Sequence, residues 1–338
     1  MTPDKLKFEL QPKMTNDAQI LSALRSNADG VSGAELSQQL GVSRAAIWAH
    51  IEELRRLGYE IEASPHFGYQ LVNSPDLLHA DDLLARLGKT KVIGRDIQVF
   101  EQTTSTNDVV EKLARGGVKE GAVVFAELQT KGRGRLGRGW TSPLRKGLWF
   151  SILLRPELHP QETTQLTVAS ATALRRAIHK ETGLRPEIKW PNDLLLGGRK
   201  VAGILTELTA ELDWVKHVIL GIGVNVNLSA GDFPSELRKQ ATSLKIESGK
   251  PVSRSGLAVE ILRDLDVDYV RICSGEFKSV ADEWETHCTT LGRQVAIRIG
   301  NRCIRGRAES LGEDGALLLR TEHGHLEHII GGDVTLEK

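Results

Sequence analysis

Apolar positions follow three successive patterns along this chain. In AQILSALRSN, Ile20, Leu21 and Leu24 fall at helical spacing. SGAELSQQLGVSRAAIWAHIEELRRLGYEI then predicts a short helix from Gly33 to Leu40, a turn at Gly41, and a longer helix. That longer helix is N-capped by Ser43 and buries Ile47, Ile51, Leu54 and Leu57. Short helix, glycine turn and longer helix make the helix-turn-helix pattern. YEIEASPHFGYQLV adds two short strands around a turn, which makes a wing. VNSPDLLHADDL, residues 72–83, reads as a linker feeding a new domain through an amphipathic helix that ends at Leu87.

From residue 90 to about 275, strand-like and helix-like segments alternate. DIQVFEQ, GAVVFAEL and LWFSILLR read as strands, and TVASATALRRAIHKETG as a helix with Gly183 past its end. Gly197-Gly198, between DLLL and RKVAGILTEL, is a two-residue hairpin signal. WVKHVILGIGVNVNL reads as two further strands. Hairpins among helices predict an α+β domain with a mixed or largely antiparallel sheet, not a doubly wound nucleotide fold. After residue 288, short strands separated by glycine turns predict a small β-barrel. The expected division is 15–74, 75–285 and 286–338.

Composition adds little to this picture. Forty-four basic and forty-four acidic residues cancel in 338, so no global field points to nucleic acid or membrane and any charge-dependent binding is local. Cys273, Cys288 and Cys303 are an odd set without CxxC spacing, which argues for reduced thiols in the cytoplasm. The opening MTPDKLKFELQPKM has no apolar core of a signal peptide, and the run LWFSILL is far short of a membrane span. Between residues 20 and 75 there are four Lys/Arg against six Asp/Glu, so DNA binding there needs a face rather than the whole domain. That face would present Ser43, Arg44, Trp48 and His50. Winged helices also serve as dimerisation modules, a reading the sequence leaves open.

Charge is concentrated in QTKGRGRLGRGW. From Leu128 to Pro156 there are seven Lys/Arg and no acid. Glycine lets backbone N–H groups approach a ligand, and arginine offers a planar fork for phosphate or carboxylate. The alternatives are a solvated basic loop or a clasp for an anion, and without ligand the segment is expected to repel itself and stay mobile. LGKT (87–90) lacks the first P-loop glycine because Leu83 stands there, and GIGVNV lacks the third dinucleotide-fingerprint glycine. Both are set aside as having local structural explanations.

KGRGRLGRGW, TTSTN, KWPND and GRKVAGIL, in this order behind a winged helix, resemble the biotin protein ligases that double as biotin operon repressors. The resemblance spans essentially the whole chain. It implies a DNA-binding winged helix, a core related to class II synthetases and an SH3-like C-terminal barrel. It also implies a two-step activity, in which biotin and ATP form biotinyl-5′-AMP with Mg²⁺, and biotin then passes to a lysine of a biotin carboxyl carrier domain. Repression would use operator DNA and a homodimer formed when biotinyl-AMP is bound.

By the same resemblance, Ser105, Thr106, Asn107, Gln129, Arg133, Gly134, Arg135 and Lys200 contact biotin. Arg138, Trp140, Asn192, Asp193 and Asn225 serve ATP, with Asp193 at the metal. Lys200, Arg135 and Lys189 would be catalytic. Leu136 stands where another arginine is often found in this loop. Read without the resemblance, Ser105 with Asp108 is a helix N-terminus, and Pro191-Asn192-Asp193 is a turn. Two other readings stay open: a ligase whose winged helix does not regulate, and a biotin-sensing transcription factor without catalysis.

Overall fold

The computed structural model describes residues 14–211 and 213–336; the N-terminal segment read as lacking a signal peptide lies outside them, apart from Met14. The chain divides into two compact units. One runs to Lys89 and includes Ser253–Val259; the other is Thr90–Val252 with Glu260–Lys338.

The first unit holds α1 (Asn16–Ser26), α2 (Gly33–Leu40), α3 (Arg44–Arg56), the antiparallel wing β1 (Glu60–Ser64) and β2 (Gly68–Asn73), and α4 (Ala80–Leu87). The expected stripe forms its core: Ile20, Leu21, Ile47, Ile51 and Leu54 have no solvent exposure, with Leu57 packed against them. The Ser43 hydroxyl accepts from the Ala46 N–H, capping α3 as its position predicts. The segment read as a linker folds back instead. α4 packs on α1, where buried Asp82 accepts from Arg25 at 2.5 Å and from Arg86 at 2.9 Å. Nothing in the sequence signals this pairing, because Arg25 lies 57 residues from Asp82.

The second unit continues with β3 (Asp96–Thr103), α5 (Thr106–Arg115), β4 (Ala122–Gln129), β5 (Leu148–Leu154), α6 (Thr164–Thr182), β6 (Glu187–Lys189), β7 (Asp193–Leu196), β8 (Arg199–Glu211) and β9 (Trp214–Val224). After these come α7 (Leu244–Ser248), α8 (Arg254–Cys273, whose first residues belong to the other unit), α9 (Phe277–His287), and β10 (Gln294–Ile299), β11 (Arg302–Leu311), β12 (Leu317–Thr321), β13 (Leu326–Ile329) and β14 (Asp333–Leu336). The central sheet has seven strands in the order β3-β4-β5-β9-β8-β7-β6. Only β3 and β4 run parallel, so it is mixed, as the hairpin signals predict. Gly197 (φ 54°) and Gly198 (φ 74°) make the tight β7–β8 turn, whose two positive φ values favour glycine.

WVKHVILGIGVNVNL is one strand and a following segment, not two strands. Gly221 and Gly223 stay extended because β5 and β8 hold them from both sides. The remaining five strands form an antiparallel sheet in the order β13-β12-β11-β10-β14.

The chain entering β3 is fixed by one buried carboxylate. Asp266 on α8 accepts from the backbone N–H groups of Lys91, Val92 and Ile93 at 2.7, 2.7 and 2.8 Å. Truncation would leave three donors without an acceptor in a site where Val92 and Ile93 are buried. Asp266→Ala is expected to cost about 3–4 kcal/mol, measured by urea unfolding; Asp266→Asn, which keeps an acceptor oxygen, should cost less.

Candidate functional site

One face of the central sheet forms the floor of the site. Side chains alternate along a strand, so register decides which share a face. Trp149, Ser151 and Leu153 on β5 lie opposite Gly223, Gly221 and Ile219 on β9, which lie opposite Gly203, Leu205 and Glu207 on β8. Toward Ile219 this face is covered by α5, through Val110 and Ala114. Toward Gly223, β9 and β8 present only glycine, Gly223 and Gly203, beside Trp149, and other groups descend into the space. A Cβ on Gly221 would lie 2.4 Å from the Asn107 carbonyl oxygen, and one on Gly223 would lie 2.5 Å from the Trp140 ring. These are the glycines that failed the dinucleotide fingerprint. Their spacing of two is the signal that they share one strand face.

Above the floor lies a cavity of about 880 Å³. Ser105, Thr106, Asn107, Gln129, Arg133, Gly134, Arg135, Arg138, Trp140, Lys189, Asn192, Asp193, Lys200 and Asn225 all line it. The fold therefore gathers every residue expected to serve biotin, ATP or catalysis.

At one end the polar groups form a continuous, largely buried network. The Gln129 carboxamide oxygen accepts from the Thr106 N–H at 2.8 Å, while its nitrogen donates to the Ser142 hydroxyl at 2.9 Å. The Thr106 and Ser151 hydroxyls are 2.6 Å apart, Ser151 donates to the Asn107 oxygen at 2.5 Å, and the Asn107 nitrogen donates to Glu207 at 2.7 Å. Ser105 starts α5 but makes no side-chain cap there, which leaves its hydroxyl to the cavity wall. Ser142, Ser151 and Glu207 were missed from sequence. For Ser151 the sequence offered one sign, a lone hydroxyl in the apolar run LWFSILL, though not which groups it would face.

The Gly/Arg segment is a defined hairpin rather than a self-repelling loop. Trp140 N–H donates to the Gly132 carbonyl at 2.8 Å, and Gly134 N–H to the Arg138 carbonyl at 2.7 Å. Remote acids compensate its charges. Arg133 forks onto Glu207 at 3.0 and 3.2 Å and reaches Asp108 at 2.5 Å. Hydrogen bonds donated to Glu207, and then to Asp108, outweigh burial and push the Arg133 pKa up. Arg138 pairs with Asp333 at the start of β14. Arg135 differs, because its guanidinium donates to the neutral Asn192 side chain at 3.2 Å. Burial lowers its pKa against the pull of Asp193 and Asp333, and unlike Arg133 and Arg138 it is not seen paired with a carboxylate. Leu136, with φ 57°, is exposed at the hairpin tip.

Opposite the hairpin, Lys200 pairs with Asp193 at 2.6 Å, and its ammonium lies 5.0 Å from the centre of the Trp140 ring. Asn192 donates to the Ile204 carbonyl at 2.7 Å, which aims its oxygen at Arg135. Asn225 is buried and donates to the Thr242 carbonyl at 3.0 Å, closing the segment that runs beside Lys200. Lys189 lines the wall at the end of β6. Among the described residues no group of three His, Cys, Asp or Glu could hold a metal. Asp193 and Asp333 are carboxylates of the cavity wall, paired with Lys200 and Arg138; a magnesium ion that arrives bound to phosphates takes only one or two protein carboxylates.

In the first unit, Ser43, Arg44 and Trp48 are exposed at the start and outer side of α3. His50 departs from the expected outward face. It turns to α1, with Nδ1 2.7 Å from Asp17 and Nε2 3.4 Å from Asn16.

A winged helix together with a mixed-sheet core holding a cation-lined cavity defines a nucleic-acid-binding module joined to an anion-activating enzyme. Sequence profiles agree: an HTH domain matches residues 17–70, the biotin/lipoate A/B protein ligase family matches 99–225, and the biotin protein ligase C-terminal domain matches 290–336. The bifunctional ligase/repressor BirA of Bacillus spizizenii is 39% identical over 92% of this chain and 95% of its own. That of Escherichia coli is 31% identical over 94% and 96%. A solved biotin protein ligase from Aquifex aeolicus, in complex with biotin and ATP, superposes with a TM-score of 0.61 at 31% identity, over 72% of this chain and 99% of that one. The chain belongs to the biotin/lipoate A/B protein ligase family, in the branch that carries an N-terminal winged helix. Among the described residues no helix is long and apolar enough to cross a membrane.

Proposed function

We propose that this protein activates biotin with ATP, transfers it to a lysine of a biotin carboxyl carrier domain, and represses transcription through its winged helix when biotinyl-AMP is bound. The observation that carries the ligase reading is the convergence of neutral hydrogen-bonding groups, cations and Trp140 on one cavity. In this reading the functional segments are 15–74, 75–285 and 286–338: winged helix, class II synthetase-like core and SH3-like barrel. The protein works in the cytoplasm.

A ureido ring has two N–H donors and one carbonyl acceptor. Ser105, Thr106, Asn107 and Gln129 present both kinds of partner. Arg133, already held by Glu207 and Asp108, braces the hairpin over biotin and presents the Gly134 backbone. Trp140 stacks on the adenine, with Arg138, Asn192, Asp193 and Asn225 on the nucleotide side. In the first step the biotin carboxylate attacks the α-phosphorus, a P–O bond forms, and the bond to pyrophosphate breaks. Lys200 and Arg135, seconded by Lys189, offset the repulsion between the two anions as they meet. Asp193 would hold the magnesium ion, whose chemistry is to neutralise phosphate charge. The hairpin then excludes water from the mixed anhydride. In the second step the carrier lysine amine attacks the acyl carbon, AMP leaves, and the amine proton passes to solvent.

The ligase is tested by mixing the protein with biotin, MgATP and a biotin carrier domain. Streptavidin-detectable carrier is expected, and its absence would overturn the reading. Repression is tested by footprinting. A dimer bearing biotinyl-AMP is expected to protect a two-fold symmetric site through Ser43, Arg44 and Trp48, with His50 shaping α3 from behind. Protection unchanged by the adenylate would leave a ligase with a non-regulatory winged helix.

A further inference from the structure

Several cations of the cavity wall are already paired with acids. Arg133 is committed to Asp108 and Glu207, Arg138 to Asp333, and Lys200 to Asp193. A triphosphate brings about four negative charges and leaves as pyrophosphate still carrying about three, so the step needs cations beyond these. The cavity wall supplies one from the C-terminal sheet. Arg298, on β10, lines the cavity, and no carboxylate lies within ion-pair distance of it among the described residues.

Its placement follows from register. Arg298 lies directly across from Asp333 on the β10–β14 ladder, so the two side chains leave the same face of the sheet. Asp333 spends its carboxylate on Arg138 of the Gly/Arg hairpin rather than on this cross-strand neighbour. The backbone before Asp333 is pressed close as well. A Cβ on Gly331 would lie 2.8 Å from the Arg135 guanidinium, and one on Gly332 would lie 3.0 Å from the Arg298 carbonyl. Arg135, Arg138 and Arg298 therefore gather around the Gly331–Asp333 turn. Asp333 is the carboxylate seen paired within that group.

We infer that Arg298 is a binding residue for the β- and γ-phosphates of ATP, and so for the pyrophosphate leaving group, completing a seat that the Gly/Arg hairpin begins. The inference rests on the ligase reading and deepens it. Arginine suits the role because its planar fork can bind two phosphate oxygens at once and stays charged at any working pH. At the biotin end of the cavity the hydroxyls and amides are neutral and Arg133 is held by Glu207 and Asp108, so that end offers no comparable anion seat. Arg298 thus makes the C-terminal sheet part of the nucleotide site.

The test is isotope exchange between ATP and pyrophosphate, which reads the first step without carrier or DNA. For Arg298→Ala, KM for both ATP and pyrophosphate is expected to rise about tenfold or more, the usual effect of losing one charge-assisted hydrogen bond. KM for biotin should stay within about twofold, as should the rate at which preformed biotinyl-AMP is passed to the carrier domain. Arg298→Lys should recover part of the loss, because it restores charge without the fork. Unchanged KM for ATP and pyrophosphate would overturn the assignment. So would an equal rise in KM for biotin, since that would mark a general disturbance of the fold. Failure of the unaltered protein to catalyse exchange would overturn the ligase reading, and this inference with it.

Discussion

Lys200→Ala is expected to slow biotinyl-AMP formation by about 10²–10³-fold, the range for removing a preorganised charge from a transition state. Biotin affinity should change by no more than a few fold, because the ureido end of the cavity is built from other residues. The competing explanation is structural, because truncation leaves Asp193, which Lys200 contacts at 2.6 Å, without its cation. A single-turnover measurement on Lys200→Ala with Asp193→Asn separates the two. Asp193→Asn alone sets the cost of losing the metal's carboxylate, so it is the reference for the double variant. If the stranded carboxylate causes the loss, the double variant matches Asp193→Asn; if the ammonium acts on the reacting anions, it is slower still. A double variant within about tenfold of Asp193→Asn would remove Lys200 from the chemistry.

Gly223→Val should separate fold from function in the opposite sense. Gly223 lies near the end of β9, paired on both sides by β5 and β8 in extended backbone that valine favours, so the strand gains propensity. The added side chain enters the space of the Trp140 ring, which a Cβ alone would approach to 2.5 Å. Trp140 must leave the floor, taking its edge contact with Trp149 at 6.3 Å and its place beside Lys200. Nucleotide affinity is expected to fall about 10–100-fold, the value of stacking one base on an aromatic ring. The melting temperature should hold or rise. Isothermal titration with a non-hydrolysable ATP analogue, together with a thermal melt, reads both. Lost stability with intact nucleotide binding would show that Trp140 does not seat the base.

Much of this was legible in the chain because it depends on near neighbours. The stripe Ile47, Ile51, Leu54 and the Ser43 cap lie within one helix, where the period of 3.6 residues writes burial directly into sequence. The Gly197-Gly198 turn is equally local. Illegible parts needed a second strand or a distant acid. LWFSILL gives no hint that Ser151 will face Thr106 and Asn107, because a strand buried on both faces shows no alternation that marks its sides. GIGV could be dismissed as a failed fingerprint because the partners its glycines make room for, Asn107 and Trp140, arrive from elsewhere in the chain. His50 looked outward on a helical wheel until α1 was packed against it.

By itself the sequence determined that a winged helix precedes an α+β core with a small β-sheet after it. The segments it singled out for biotin and ATP are ones that line the cavity, and it also determined that a concentrated positive charge sits on a glycine-rich segment. Only the tertiary structure decided how much of that charge is available. The acids that hold Arg133 lie 74 and 25 residues away, and the one that holds Arg138 lies 195 residues away. Coulombic attraction depends on distance in space and not along the chain. A segment without a single acid of its own can therefore be a compensated, ordered hairpin in the folded protein.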